Sequence, residues 1–221
     1  GGVAHELNTP LGAISVAIDS ALMNLNSHPD RSEARLKKAV ISVEKMRQIV
    51  SKLLFYSREA TFERQETDLN RVVEDTLELI GHQLHLDNIE VVTNLSPLPK
   101  TYANQNELQQ ILTNLLLNAK DAVLASDAPQ RQIEIITSSQ DNWLSVTVKD
   151  WGCGVPAELK ERIFEPFFTT KEVGRGTGLG LSVTSQLVQQ HQGTLALYDN
   201  QPRGSCFVFR LPVASSRGTD E

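Results

Sequence analysis

The chain has 221 residues, of which 40% are hydrophobic and 22% charged, the make-up of a folded globular protein with one large or two small domains. A net charge of −6 and a pI near 5.4 argue against nucleic acid or an anionic membrane surface as the main partner. No apolar run approaches the roughly eighteen residues a spanning helix needs, and no signal peptide is visible.

The first ten residues, GGVAHELNTP, place His5, Glu6, Asn8, Thr9 and Pro10 close together on a helical pattern. Because the chain opens inside that pattern, it reads as part of a longer protein, and a membrane anchor elsewhere in the parent stays open. Neutral imidazole is a nucleophile as well as a base, and a neighbouring carboxylate can fix its tautomer and accept its proton. Thr9, four residues on, returns to the face of His5. Pro10 cannot donate to the carbonyl of Glu6, so the helix should bend just beyond this turn. Taken alone the turn is weak evidence, since a histidine beside a glutamate is usually a solvated pair. It also fails the HExxH metal pattern, with Thr9 at the second ligand position.

Leu7, Leu11, Ile14, Ile18, Leu22 and Leu25 form one stripe of an amphipathic helix over 3–25. SHPDR reads as a turn, with Asp30 or Ser32 able to cap a second helix over 32–58. In that helix Leu36, Ala39, Val43, Met46, Val50 and Leu53 make a heptad seam. The two helices should fold as an antiparallel hairpin. A lone hairpin cannot cover both stripes, and two copies forming a four-helix bundle is the economical solution.

The polar stretch EATFERQET, 59–67, marks a boundary. Beyond it the patterns give a helix over 69–86, a strand over 89–94, a proline loop SPLPK and a long helix over 104–125. A strand pair over 132–138 and 143–150 turns at SQDN, and PAELKERI is a short helix with Pro156 in its first turn. A glycine-rich stretch leads into a helix over 179–192, and TLALYDN pairs with SCFVFRLPV across QPRG. This order suits an α/β sandwich with helices on one face of a mixed sheet. The expected domains are therefore 1–60 and 61–214, followed by a disordered tail at 215–221.

Three clusters in the second domain carry chemistry. Asn114 and Asn118 lie one turn apart on the long helix, and such carboxamides can ligate a magnesium ion that bridges phosphate oxygens. DWGCG places Asp150 at a strand end, where a carboxylate can accept a hydrogen bond from an exocyclic amine and glycines let backbone approach a flat ring. GRGTGLGL, 174–181, opens a helix whose amides and dipole suit a phosphate chain. It matches neither GxxxxGK[ST] nor GxGxxG, and no HRD or DFG set of protein kinases occurs. Cys153 and Cys206 lack CxxC spacing, which suits a reducing, cytoplasmic setting. A redox role for Cys153 is weaker than that of a small filler residue, and His28, His82, His85 and His191 match no motif.

The succession HELNTP, NxxxNA, DxGxG, FEPFFTTK and GTGLGL resembles the sensor histidine kinase family across nearly the whole chain. The resemblance implies an α+β fold: a phosphoacceptor hairpin, a four-helix bundle in the homodimer, then an ATP-binding sandwich of the Bergerat type shared with gyrases and heat-shock chaperones. It implies that His5 takes the γ-phosphoryl group of ATP, with Glu6 as base and orienting partner and Thr9 positioning water in a phosphatase reaction. Asn118 would ligate Mg2+, Asn114 would contact phosphate or assist transfer, and Asp150 would read the adenine amine. Gly152 and Gly154 would shape the base pocket, and FEPFF would anchor a mobile lid. Lys171 and Arg175 would lie near the phosphates, and the box Gly176, Thr177, Gly178, Leu179 and Gly180 would wrap them. The implied partner is the receiver domain of a response regulator, phosphorylated on aspartate. Asp121 departs from the family, standing where many relatives carry a basic residue. In hydrolysing relatives a glutamate activates water where this chain has Asn114, and an amide cannot take a proton, so phosphoryl transfer is favoured over hydrolysis. An ATP-driven clamp and an inactive dimeric scaffold remain the alternatives.

Overall fold

The computed structural model describes residues 2–25, 27–57, 63–127, 131–171 and 176–214, with the side chains of 2–8, 41, 44, 45 and 47–57 outside the description. Two compact units divide the chain, Gly1–Ala60 and Thr61–Glu221. The tail expected to be disordered lies outside the described residues.

In the first unit, α1 (Gly2–Asn24) and α2 (Pro29–Ser57) pack against each other. Pro10 sits inside α1, which continues through it. α2 starts earlier than the turn signals suggest, because Pro29 has the fixed φ that suits a first helical position. Among the described side chains, those buried between the helices are small, Ala17, Ala21 and Ala39 with Ser32, while Leu7 of the expected stripe and Val50 and Leu53 of the expected seam lie outside the described side chains. Ser32, expected as a cap, instead donates from Oγ to the carbonyl of Ala21 at 2.9 Å and ties the helices together. Leu11, Ile18, Leu22 and Leu25 of the first stripe remain exposed, as do Leu36 and Val43 of the seam. Small residues let the helices approach, and the larger ones form a surface that the hairpin itself does not cover.

The second unit is built on a five-stranded sheet in the order β2-β4-β5-β7-β6: β2 (Glu90–Leu95), β4 (Gln132–Gln140), β5 (Trp143–Asp150), β7 (Ser205–Pro212) and β6 (Thr194–Asp199). Only β2 and β4 run parallel, so the sheet is mixed. Alternation along β5 buries Leu144, Val146, Val148 and Asp150 on one face. That face meets α3 (Leu69–Leu86), α4 (Gln105–Leu124) and α5 (Gly180–Gln190). Leu108, Ile111, Leu112, Leu115 and Leu116 of α4 are fully buried, each contributing about 1.5–3 kcal/mol. The β4–β5 hairpin turns through Asp141 and Asn142, both at positive φ (51° and 64°), as a type I′ turn requires.

Two short elements escape the periodic signal. β1 (Gln65–Thr67) and β3 (Thr101–Ala103) pair as a separate antiparallel ribbon, the first in the stretch that reads as a polar boundary and the second between the proline loop and the long helix, where the sequence signals no element. The segment read as one short helix is two 3-10 turns, Ala157–Leu159 and Arg162–Phe164, with Pro156 as the cap and not in the first turn. Among the described residues no helix is long and apolar enough to cross a membrane.

Candidate functional site

α4 is the common support of the site. Asn104 caps it, accepting from the N–H of Glu107 at 3.1 Å, and its own N–H donates to Nε2 of His191 at 3.1 Å. Nδ1 of His191 lies 2.8 Å from the carbonyl of Leu187, and burial lowers its pKa, so the ring is a neutral, satisfied core histidine.

At one end of the site Asp150 closes β5 with a side chain 1% exposed. Its Oδ1 accepts from the N–H of Gly152 at 2.8 Å and of Ser205 at 3.2 Å. Among the described residues no donor is placed on Oδ2. Desolvation raises the pKa of this carboxyl to about 6, against the lowering effect of those two N–H groups. A carboxylate with one oxygen fixed by backbone and the other unbonded is suited to accept from a ligand's N–H.

The loop after Asp150 is held from two sides. A Cβ on Gly152 would stand 2.5 Å from the carbonyl carbon of Ala122 on α4, and the N–H of Cys153 donates to the Ala122 carbonyl at 3.2 Å. Gly154 has φ +74°, which glycine adopts without penalty. From the other side, Asn200 Nδ2 donates to the Asp150 carbonyl at 2.7 Å, and Arg203 Nε donates to the Gly152 carbonyl at 3.1 Å. Sequence reasoning passed over Asn200, Arg203 and Ser205. The only hint was a turn glycine, Gly204, ahead of the last strand.

At the other end, Asn114 and Asn118 face the start of α5. Asn114 Nδ2 donates to the Gly180 carbonyl at 3.3 Å and to Thr184 Oγ1 at 3.4 Å. A Cβ on Gly180 would sit 3.9 Å from Asn114 Oδ1 and 4.0 Å from Asn118 Nδ2, so both amides border this glycine. No side chain caps the first turn of α5, which begins after buried Leu179. Gly178 has φ +63°; its carbonyl accepts from Phe167 N–H at 2.9 Å, joining the glycine box to FEPFF. A Cβ on Gly176 would stand 2.5 Å from Thr169 Oγ1, and Thr177 is half-buried beside it. Lys171 Nζ donates to Asn118 Oδ1 at 3.4 Å and forms an ion pair with Asp121.

Asp150, Gly152, Gly154, Asn114, Asn118, Lys171 and the glycine box are thus gathered around α4 in one unit. A cation and an uncapped helix start can receive an anion at one end, with amide oxygens beside them able to hold a cation, while a carboxylate oxygen accepts a donor at the other. Arg175, in the same unit, lies outside the described residues; in the other unit, His5 and Glu6 lie on α1 with side chains outside the description, and Thr9 is exposed on the next turn.

The family model for the histidine kinase-, DNA gyrase B- and HSP90-like ATPase matches residues 103–215, and that for the His Kinase A (phospho-acceptor) domain matches residues 1–62. The two-component sensor PprA of Pseudomonas aeruginosa is 36% identical over 221 residues, covering 97% of this chain and 24% of its own length. The signal transduction histidine-protein kinase AtoS of Escherichia coli is 34% identical over 216 residues, 96% of this chain and 34% of its own. The chain therefore spans about a quarter to a third of these curated relatives. The crystal structure of histidine kinase ThkA in complex with the response regulator protein TrrA superposes with a TM-score of 0.75 at 26% identity, covering 96% of this chain and 60% of that one. With a phospho-acceptor domain and this ATPase domain joined in sequence, the chain belongs to the two-component sensor histidine kinases and spans their catalytic core.

Proposed function

We propose that this chain phosphorylates its own His5 with ATP and passes the phosphoryl group to an aspartate of a response-regulator receiver domain. The observation that carries the reading is the pairing, in one chain, of a phospho-acceptor helix with an ATPase domain whose position 114 holds an amide and not a base. ATP would lie along α4, its adenine amine donating to Asp150 Oδ2 in the pocket bounded by Gly152 and Gly154. Its phosphates would meet Lys171, Arg175 and the box from Gly176 through Thr177, Gly178 and Leu179 to Gly180.

Phosphoryl transfer is largely positioning and charge neutralisation. A ring nitrogen of His5 attacks the γ-phosphorus, the bond from that phosphorus to the bridging oxygen breaks, and ADP leaves. Glu6 takes the ring proton. Asn114 cannot accept a proton from water, which keeps ATP intact until His5 arrives. Thr9 orients water in a separate phosphatase reaction, in which water attacks the aspartyl phosphate of the receiver and releases inorganic phosphate. Among the described residues no group of three His, Cys, Asp or Glu could hold a metal ion, so a metal at this site would rest on phosphate oxygens and an amide. Asn118 Oδ1 fits that description, because it already faces the Lys171 ammonium. Mg2+ bound there would neutralise charge developing on the β- and γ-phosphates.

A homodimer pairing two hairpins would cover the exposed leucines of α1 and α2. The response regulator is supported by the ThkA–TrrA complex. The free cysteines suit a cytoplasmic kinase core.

The test is labelling with γ-radiolabelled ATP, for the chain and for His5→Gln. Acid-labile, base-stable label that disappears in the variant is expected. ATP turnover without label would instead indicate an ATP-driven clamp, and neither label nor turnover a scaffold.

A further inference from the structure

The ion pair between Lys171 and Asp121 sits inside the phosphate end of the site, and nothing in the phosphoryl-transfer chemistry calls for it. Asp121 follows Asn118 by three residues on α4, so both side chains project from one face. Lys171 Nζ bridges them, bonded to the Asp121 carboxylate and 3.4 Å from Asn118 Oδ1. The ammonium therefore occupies the amide oxygen assigned above to the metal, while the carboxylate neutralises a cation that a triphosphate would otherwise attract. Neither group is deeply buried: their side chains are 35% and 44% exposed, so the pair is weak enough to be exchanged.

We propose that Asp121 is a latch on the nucleotide site: it parks Lys171 on Asn118 while the site is empty, and Mg2+–ATP must displace the lysine in order to bind. The ion pair breaks, the lysine passes to the phosphates, and Asn118 Oδ1 is released. The latch sets nucleotide affinity below what the same residues would give without Asp121. This deepens the nucleotide reading above and rests on it.

The test is a double-mutant cycle on the whole chain, with Asp121→Asn, Lys171→Met and the double variant. The affinity for a non-hydrolysable ATP analogue with Mg2+ is measured by calorimetry. Asp121→Asn is expected to tighten binding about twofold to fivefold, the range a half-exposed ion pair allows. In the Lys171→Met background the gain shrinks, because no lysine remains to be released. An equal gain in both backgrounds would mean plain repulsion between Asp121 and phosphate, and would overturn the latch. So would a loss of affinity, or no change, in Asp121→Asn. If the unaltered chain binds no analogue at millimolar concentration, the nucleotide reading falls and the latch falls with it. Thermal melts of each variant, and Asp121→Ser as a second substitution, separate these outcomes from misfolding.

Discussion

Asp150→Asn should make the ATPase unit more stable while abolishing its use. Desolvation raises the Asp150 pKa from 3.8 to about 6, so the folded state holds the proton more tightly than the unfolded state. Stability from this group is full below the unfolded value and is lost as pH rises through the folded one, at about 1.4 kcal/mol per unit. The charge at neutral pH therefore costs about 3 kcal/mol, from a shift of about two units. Asparagine keeps Oδ1 for the N–H groups of Gly152 and Ser205 but introduces a buried amide donor, a penalty of about 1–2 kcal/mol. The net expectation is a gain of about 1–2 kcal/mol near pH 8 that falls to no gain or a loss of up to about 1 kcal/mol near pH 4.5. Urea unfolding followed by tryptophan fluorescence reads this directly, since both tryptophans, Trp143 and Trp151, lie in the second unit. Nucleotide binding should be lost at both pH values, because a donor would face the ligand's donor. A variant less stable at both pH values, or a difference that does not change across the window, would refute the reasoning.

Two further outcomes follow from packing. Gly178→Ala places a Cβ 2.4 Å from the Phe167 carbonyl carbon at φ +63°, and should cost about 1–3 kcal/mol in urea unfolding and weaken binding of the ATP analogue. Leu22→Lys, at a side chain 65% exposed on the hairpin, should shift light scattering from dimer to monomer with the tryptophan-monitored transition unchanged.

The long elements were legible because their apolar spacing leaves few alternatives: α3 and α4 begin and end within a residue of their periodic stretches, and Asn104 caps where a capping residue stands. β1 and β3 were not, since three residues are too few to show alternation. In the hairpin, Ala39 of the expected seam is buried, but Ala17 and Ala21, which the apolar stripe passes over, also hold the two helices together; spacing ranks leucine above alanine, whereas close approach favours the smaller side chain. At the site, the motifs mark Asp150, Asn114 and the glycine box. The contacts of Asn200, Arg203 and Ser205 depend on how the last hairpin folds back, which local pattern does not encode.

That last hairpin governs when the protein can first hold a ligand during its synthesis. Two of the partners that fix Asp150, Asn200 and Ser205, lie 50 and 55 residues later in the chain, and only the N–H of Gly152 is local. A ribosome that has released everything through α5 has made both asparagines and the glycine box, yet the carboxylate that would grip the base still lacks its clasp. β7 also fills the position between β5 and β6, so without it the sheet is split. On the reading proposed above, nucleotide could assist folding only after β7 has been made.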